Sequence, residues 1–343
     1  MKILFDITHP AHLHFFKNVI NKLHDEGHEV ILTGRDKDIL INLAEIYGMD
    51  IIVFGKAKNG ILNLFKELIY RKWKLFKIIR KFKPDVMMAI AGTYIGMLGW
   101  LTRTPAYVFY DTEHATLSNV MTYPFAKCVY VPQCYRKKIR WRHERYNGYH
   151  ELAYLHPDYF TPDISVLNEI SIKENETFTV VRFVGWGAHH DIGLKGFTLE
   201  NKKKAIEVLS QFGKVFISCE GKLPAELEKY RLTLDVTKIH SLMAYASLVF
   251  GESATMCSEA AVLGVPSVYV DPIGRGYTDE QEKNYGLVSN FTSENQNDAI
   301  KRGGNILENY DRQYWKQKGK QLICDKIDVT QMIYNIAIEK PYT

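Results

Sequence analysis

The chain has 343 residues and a formal net charge of +5, with 46% hydrophobic and 24% charged residues. This is the composition of a globular protein, and no segment approaches the roughly 18 uninterrupted apolar residues that a membrane-spanning helix needs. A single hydrophobic core stops growing at about 250–300 residues, so the length predicts two domains.

Two features of the sequence indicate its compartment. The N-terminal segment Met1–Asp6 carries no cleavable signal and leads directly into a predicted strand. The five cysteines are scattered and include no Cys-x-x-Cys pair, so the sequence indicates neither a disulfide framework nor a zinc site. We therefore expect a cytoplasmic protein, with peripheral contact at the inner face of the membrane as a further option.

The first half of the chain alternates between predicted strands and helices. The predicted strands are Lys2–Ile7, His28–Thr33, Asp50–Phe54, Asp85–Ala89 and Ala106–Tyr110, and the predicted helices lie at about 9–26, 37–47, 60–82 and 94–101. Strands that alternate with helices indicate a parallel sheet covered on both faces.

A second alternating series follows the proline-marked segment Glu151–Pro162. Its predicted strands are Phe178–Phe183, Lys214–Ser218, Leu248–Phe250 and Ser267–Val270, and its predicted helices lie near 199–211, 224–230, 241–246 and 254–263, with a helical tail over about 298–338. We therefore predict an α/β protein with two Rossmann-like domains that face a cleft. The predicted bounds are 1–162 and 163–320, with a C-terminal helix over 321–343 that returns to the first domain.

The strand-turn-helix unit over 247–266 is the most informative stretch. Its turn opens a helix that carries Glu259 and ends at Gly264-Val-Pro266. A turn of this kind presents unpaired amides and the positive end of a helix dipole, which bind phosphate. A carboxylate further along the helix can accept hydrogen bonds from sugar hydroxyls, as in dinucleotide folds. We predict that Glu259 binds a ribose.

Two more segments of the second half carry candidate ligand contacts. Arg182 ends a predicted strand and can neutralise a pyrophosphate, while Gly185 and Gly187 allow the backbone to approach a ligand closely. The following His189-His-Asp191 lacks a fourth metal ligand at a recognisable spacing, so no metal site is predicted. Gln281 lies in a polar segment that either reads sugar hydroxyls over the cleft or forms a solvated helix start.

Histidines and carboxylates follow two strands of the first half. His9, His12 and His14 lie in the first strand-to-helix turn, where parallel sheets bind ligands. An imidazole here suits a general base, with His12 preferred and His9 second, although helix capping or core packing would also explain a histidine. The cluster after Tyr110 supplies further acid/base candidates, or else ordinary loop residues: Glu113, His114 and Asp111.

The segment from Lys56 to Lys83 holds ten basic residues against one acidic residue. Its apolar residues fall on one helical face, which predicts packing against the sheet: Ile61, Phe65, Leu68, Ile69, Phe76 and Ile79. The charge fits an anionic membrane surface, with Trp73 suited to the interface, or a solvated face. Few aromatic residues are available to stack on bases, so no nucleic-acid partner is predicted.

Taken together, these motifs resemble the GT-B superfamily of nucleotide-sugar enzymes over nearly the whole chain, and most closely an uncharacterised family with a His-Pro-Ala-His opening. Its relatives include the lipid II N-acetylglucosaminyltransferase and the non-hydrolysing UDP-N-acetylglucosamine 2-epimerases. The resemblance implies a nucleotide site at the serine-rich turn and helix, and acceptor and sugar contacts elsewhere. Ser253, Thr255 and Glu259 match the nucleotide pattern, and Ala254 between them is expected to bind with them. His12 and Gln281 fall near the acceptor and sugar contacts, with Glu280 in place of one glutamine of a pair.

The resemblance favours transfer over epimerisation. The epimerase segment Arg-x-x-Thr-Glu-Arg-Pro-Glu is absent, and Tyr110-Asp-Thr-Glu113-His-Ala replaces its His-x-Glu-Ala-Gly-Leu-Arg. We expect a glycosyltransferase that uses a UDP-linked sugar, needs no cofactor or tightly bound metal, and acts on a glycan or lipid-linked acceptor. A UDP-N-acetylglucosamine 2-epimerase and a non-catalytic nucleotide-sugar binder remain alternatives, and the sequence does not give the oligomeric state.

Overall fold

The computed structural model describes residues 1–36, 39–56, 61–113, 116–183, 196–219 and 221–339. The chain divides into two compact units, one formed by Met1–Tyr154 with Ile327–Thr343 and the other by Leu155–Lys326. The chain first passes from one unit to the other after Tyr154, eight residues before the predicted bound at 162. The reason is that the proline-marked segment forms hydrogen bonds with residues of the second unit. Tyr245 donates its hydroxyl hydrogen to Pro162 O at 3.1 Å there.

The first unit contains a seven-stranded parallel sheet. Its strands are β1 (Lys2–Ile7), β2 (Glu29–Asp36), β3 (Ile51–Lys56), β4 (Val86–Ile90), β5 (Ala106–Phe109), β6 (Cys128–Pro132) and β7 (His143–Tyr146). Their spatial order is β3-β2-β1-β4-β5-β6-β7, and every pairing is parallel. The order reverses between β1 and β4, so the crevice at their C-terminal ends is the expected ligand position.

Helices lie between these strands or follow the last of them. They are α1 (Pro10–Asp25), α2 (Leu40–Ile46), α3 (Ile61–Phe82), α4 (Ile95–Thr102), α5 (Thr116–Thr122) and α6 (Leu152–Leu155). The start of α1 follows from its sequence, since Pro10 stands at the first helical turn and His9 caps it. On the other side, Leu75 and Ile79 of α3 join a buried cluster with Met87 and Val108 of the sheet.

The second unit contains a five-stranded parallel sheet. Its strands are β8 (Phe178–Arg182), β9 (Lys214–Ile217), β10 (Leu248–Gly251), β11 (Ser267–Val270) and β12 (Val288–Phe291), in the order β12-β11-β10-β8-β9. Its helices are α7 (Val166–Glu169), α8 (Leu199–Ser210), α9 (Ile239–Tyr245), α10 (Ala254–Val262), α11 (Gly276–Glu280), α12 (Gln296–Glu308) and α13 (Arg312–Asp325). Here the strand order reverses between β8 and β10.

The last helix, α14 (Val329–Ile338), packs on α1 within the first unit. Thr330 Oγ1 donates a hydrogen bond to Ala153 O at 2.8 Å, and Lys22 Nζ donates one to Gln331 Oε1 at 2.8 Å. In the part of the chain that the structure describes, no helix combines the length and apolarity needed to cross a bilayer.

The prediction of two parallel α/β domains is confirmed, but it missed several short elements. Strands β6, β7 and β12 and helix α5 were not predicted. Strand β7 is four residues long and leaves Glu144 and Arg145 exposed, so it carries no apolar run. The predicted helix near 224–230 is a 3₁₀ helix, Ala225–Tyr230.

Candidate functional site

The switch point of the second unit brings Arg182 and the turn after β10 together. Gly251 pairs with Arg182 across the β8–β10 ladder, and Glu252 N donates a hydrogen bond to Arg182 O at 2.9 Å. Gly251 has φ +150°, and a Cβ there would lie 1.9 Å from Arg182 O. Only glycine fits this position, because the two backbones approach each other so closely.

Helix α10 begins directly above this contact. Ser253 has extended backbone angles, and its Oγ accepts a hydrogen bond from Met256 N at 3.3 Å. Ala254 is buried and Thr255 is exposed in the first turn. The predicted strand-turn-helix unit is therefore present, and the N-terminal amides and positive dipole end of α10 lie at the sheet edge, an arrangement that suits an anion.

Arg182 is held at the same edge. Its guanidinium Nη1 donates to Ser218 O at 3.3 Å and to Ser218 Oγ at 3.4 Å, after β9. The predicted partners Gly185 and Gly187, and the His189–Asp191 triplet, lie outside the described residues.

Glu252 is a site residue that the sequence analysis missed. Its Oε1 accepts a hydrogen bond from Phe197 N at 2.5 Å, and its Oε2 lies 3.3 Å from Lys202 Nζ on α8. Both charged side chains are buried. The pair holds the segment that leads into α8 against the turn after β10. The sequence gave no signal for this role, because a single glutamate beside a serine belongs to no recognisable motif.

Glu259 lies in the middle of α10 and contacts a second buried side chain. His240 Nε2 is 2.9 Å from Glu259 Oε1, and the Phe160 ring stands edge-on to the imidazole. The carboxylate is thus oriented by α9. The sequence gave no signal for this partner, because His240 is 19 residues away and sits in an apolar helix.

The side chains of Gln281 and Glu280 both contact other parts of the second unit. Gln281 is fully buried, its Nε2 donates to Ser258 Oγ at 2.7 Å, and no partner of its Oε1 is present among the described residues. Glu280 forms an ion pair with Lys326. Of the two readings of this segment, a solvated helix start does not describe Gln281, because the π-helical turn Gln281–Tyr285 places its side chain against α10. The predicted contact of Gln281 with a sugar stays a prediction.

The first unit has a buried ion pair below its own switch point. Arg71 of α3 donates from Nη2 to Asp6 Oδ1 at 2.8 Å, and both side chains are inaccessible to solvent. Thr33 Oγ1 donates to the same oxygen at 2.9 Å, and Tyr94 stacks on the guanidinium. This pair ties α3 to the end of β1.

His9 and His12 have defined ring orientations at the start of α1. Ala11 N donates to His9 Nδ1 at 3.2 Å, and Thr8 N donates to His12 Nδ1 at 3.4 Å. Backbone N–H groups only donate, so Nδ1 accepts and each neutral imidazole carries its hydrogen on Nε2. Such a ring is a hydrogen-bond donor at Nε2. The geometry thus disfavours the expected base role of either histidine.

The neighbouring strand ends carry backbone strain. Ala91 and Gly92, after β4, both have left-handed angles, with φ +61° and +53°. The Tyr110 hydroxyl donates to Ala91 O, and burial raises the pKa of Tyr110 to about 12, so this donor stays protonated. Left-handed backbone angles are uncommon for a residue other than glycine such as Ala91. Backbone strain of this kind is concentrated at functional sites.

The predicted acidic cluster lies at the end of β5. Asp111 is 23% exposed, and its Oδ2 lies 3.3 Å from Nδ1 of the buried His150. Glu113 is buried, and its Oε1 accepts a hydrogen bond from Arg136 N at 3.2 Å. His114 lies outside the described residues. Of the two described carboxylates, Asp111 is the accessible one.

Helix α3 differs from its prediction in two places. The side chains of Ile61, Phe65 and Leu68 lie outside the described part. Ile79 is buried and Phe76 packs on the core as predicted, whereas Ile69 is 55% exposed. The buried stripe runs through Arg71 instead, and residues two apart lie nearly on opposite sides of a helix.

Comparison with known sequences places the chain near proteins without an assigned activity. The profile of a family described as "Protein of unknown function (DUF354)" matches residues 1–281. An uncharacterised protein of Methanocaldococcus jannaschii is 25% identical over 291 residues, which are 79% of this chain and 82% of that protein.

Comparison with solved structures identifies the fold. The UDP-GlcNAc 2-epimerase of Neisseria meningitidis, bound to UDP-GlcNAc, has a TM-score of 0.71 at 12% identity over 99% of both chains. The Acinetobacter baumannii MurG has a TM-score of 0.60 at 14% identity, covering 98% of this chain and 99% of its own. The spinosyn rhamnosyltransferase SpnG has a TM-score of 0.64 at 11% identity, covering 98% and 100%. The predicted GT-B fold is confirmed.

Proposed function

The chain belongs to the DUF354 family of proteins of unknown function, and from this premise and its GT-B fold we propose that it is a glycosyltransferase. It would move a sugar from a nucleotide diphosphate sugar, UDP-linked, to an acceptor hydroxyl. The observation that carries the proposal is the β8–β10 switch point, where Arg182, the tight Gly251 backbone and the start of α10 lie together.

The second unit binds the donor in this proposal. The diphosphate sits at the α10 amides of Ser253, Ala254 and Thr255, with Arg182 neutralising its charge. Glu259, oriented by His240, accepts hydrogen bonds from the ribose hydroxyls. A carboxylate has about four acceptor positions, so it can bind a hydroxyl while it contacts the imidazole.

The reaction forms one bond and breaks another. The acceptor oxygen bonds to the anomeric carbon, the bond from that carbon to the phosphate oxygen breaks, and UDP leaves with the electron pair. Arg182 and the α10 amides stabilise the charge that develops on the diphosphate, so the proposal assigns no tightly bound metal. A base takes the proton of the acceptor hydroxyl.

We assign the base to Asp111 in the first unit. It is an accessible carboxylate at the end of β5, whereas Glu113 is buried. His9 and His12 act as hydrogen-bond donors, because their Nδ1 atoms accept backbone hydrogens. Donation from Nε2 orients the acceptor.

There are two alternatives. The first is a 2-epimerase, favoured by the two carboxylates Asp111 and Glu113 at one strand end, since elimination needs an acid and a base. The second is a nucleotide-sugar binder without catalytic activity. Three assays separate them. A transferase releases UDP faster when an acceptor is supplied, an epimerase interconverts UDP-sugars with no acceptor, and a binder does neither.

The donor is tested first by thermal shift with a nucleotide panel that includes UDP, GDP, dTDP and UDP-N-acetylglucosamine. A ligand at 100 times its dissociation constant adds about 2.7 kcal/mol to stability. We expect a shift with UDP nucleotides and UDP release on adding a glycan acceptor. The absence of any nucleotide-induced shift would overturn the proposal.

A lipid-linked acceptor and contact with an anionic membrane belong to the same proposal. Helix α3 exposes Ile69, Tyr70 and Trp73, and Lys74 and Lys77 lie over the indole. Exposed aromatic and basic residues on one helix suit the interface of an anionic bilayer. In this arrangement the first unit meets the membrane that carries the acceptor.

Co-sedimentation with vesicles of 70% phosphatidylcholine and 30% phosphatidylglycerol tests this contact. The double variant Lys74→Gln/Lys77→Gln should bind about 30-fold more weakly, because each basic side chain contributes about 1 kcal/mol near such a surface. The matched control Lys318→Gln/Lys320→Gln removes the same charge from α13 and should bind like the wild type. Equal binding by all three proteins contradicts the membrane contact.

A further inference from the structure

His150 lies in the turn between β7 and α6 and faces Asp111. Its Nδ1 is 3.3 Å from Asp111 Oδ2, while Asp111 Oδ1 accepts a hydrogen bond from Thr112 Oγ1 at 2.9 Å. The Phe15 ring of α1 covers the imidazole, with the ring centroids 4.4 Å apart. The two carboxylate oxygens of Asp111 thus contact different side chains, Oδ1 that of Thr112 and Oδ2 that of His150. His150 is distant from Asp111 in the sequence.

The carboxylate beside Nδ1 favours one tautomer of the ring. With Asp111 Oδ2 at 3.3 Å, the favoured neutral form of His150 has Nδ1–H, which leaves a bare lone pair on Nε2. Burial lowers the pKa of His150, and the Asp111 carboxylate offsets part of that change. The ring is therefore neutral at pH 7, with its Nδ1 in contact with Asp111. The favoured Nδ1–H form is the opposite tautomer from that of His9 and His12.

The imidazole of His150 is not the side chain that would stabilise the fold most at this position. Its Nε2 is buried, and the part of the chain that the structure describes offers it no hydrogen-bond partner. An unsatisfied buried acceptor destabilises a folded protein. A leucine at position 150 would fill the space beside Phe15 without that cost. The polar contact that the ring makes is with Asp111, so its role lies there.

We propose that His150 is the positioning residue of Asp111. Its Nδ1–H holds Oδ2, so that the carboxylate at the end of β5 keeps the orientation in which it takes a proton from the acceptor hydroxyl. This inference rests on the proposed function, in which Asp111 is the base. His150 does not touch the substrates, because its side chain is 8% exposed and lies behind Phe15.

Two variants of similar size separate positioning from packing. His150→Asn keeps an N–H near the place of Nδ1, and His150→Leu keeps the volume without a donor. The assay is UDP release from UDP-N-acetylglucosamine with water as the acceptor. We expect His150→Leu to lower kcat about 10- to 100-fold, because a displaced reacting group costs up to about 10²-fold. The KM for the donor should stay unchanged, and the melting temperature should not fall below that of the wild type.

The asparagine variant decides between the two roles. It should retain kcat within about fivefold of the wild type, since the donor to Asp111 remains. If His150→Leu turns over like the wild type, or if His150→Asn is as slow as His150→Leu, the inference is overturned. A fall in melting temperature with unchanged kcat in both variants would show that the residue only packs.

A second measurement does not depend on turnover. The ¹⁵N shifts of the histidine-labelled protein should show His150 as the neutral Nδ1–H tautomer, with the assignment made from His150→Asn and a changed signal in Asp111→Asn. A ring protonated on Nε2 overturns this inference even if the enzyme releases UDP. A wild type that releases no UDP from any donor overturns the proposed function instead.

Discussion

Substitution of Glu259 tests the nucleotide site, and the structure determines which substitution is informative. Glu259→Ala would remove the carboxylate that His240 Nε2 contacts at 2.9 Å, and both side chains are buried. An unsatisfied buried imidazole costs about 1–3 kcal/mol. In a unit of this size 1 kcal/mol shifts the melting temperature by about 2–4 °C, so Glu259→Ala should melt about 2–12 °C lower without ligand.

Glu259→Gln separates binding from folding. The amide oxygen still accepts from His240, so the unliganded melting temperature should stay close to that of the wild type. Loss of a charged acceptor for a ribose hydroxyl costs about 1.5–3 kcal/mol, which weakens UDP binding about 10- to 150-fold. At a UDP concentration 100 times the wild-type dissociation constant, ligand stabilisation should fall from about 2.7 to about 0.3–1.4 kcal/mol.

Isothermal titration with UDP and thermal shifts at fixed UDP measure both quantities. Glu308→Gln, an exposed carboxylate at the end of α12, is the control and should bind UDP like the wild type. If Glu259→Gln binds UDP with unchanged affinity, Glu259 does not contact the nucleotide. If Glu259→Ala melts at the wild-type temperature, the pair with His240 contributes nothing to stability.

Three further predictions address other parts of the structure. His12→Gln should retain more turnover than His12→Ala, because its side-chain amide can replace the Nε2–H donor, and equal loss in kinetic assays would restore His12 as a base. Arg71→Met should lower stability by about 3–5 kcal/mol in urea titrations, because it leaves the Asp6 charge buried and unpaired, and a loss below 1 kcal/mol would refute this. Gly319→Ala should destabilise the protein, since its Cβ would lie 2.4 Å from backbone at the end of α10, whereas Gly304→Ala makes ordinary contacts and should be neutral or stabilising; equal melting temperatures would contradict the clash.

The sequence predicts the fold well where local signals and packing agree. Strand β10 and helix α10 appear as predicted, because the apolar run, the small-residue turn and the Gly264 terminator all indicate the same elements. Strand β7 was missed because its pairing with β6 decides its conformation, and its exposed central residues give no period-two pattern.

Distant partners explain most of what the sequence could not predict about the site. Asp6 and Arg71 are 65 residues apart, and the sequence presented Arg71 as one of many basic residues on an amphipathic helix. The contact between Asp111 and His150 depends on the fold in the same way. The ring orientations of His9 and His12 depend on backbone N–H groups of the local turn, whose directions a sequence pattern does not specify.

A crystal structure of the chain with UDP tests the central claim most directly. We predict the diphosphate at the first-turn amides of α10, within reach of Arg182, and the ribose hydroxyls on Glu259. UDP bound at another place on the chain, with the turn after β10 empty, would contradict the account.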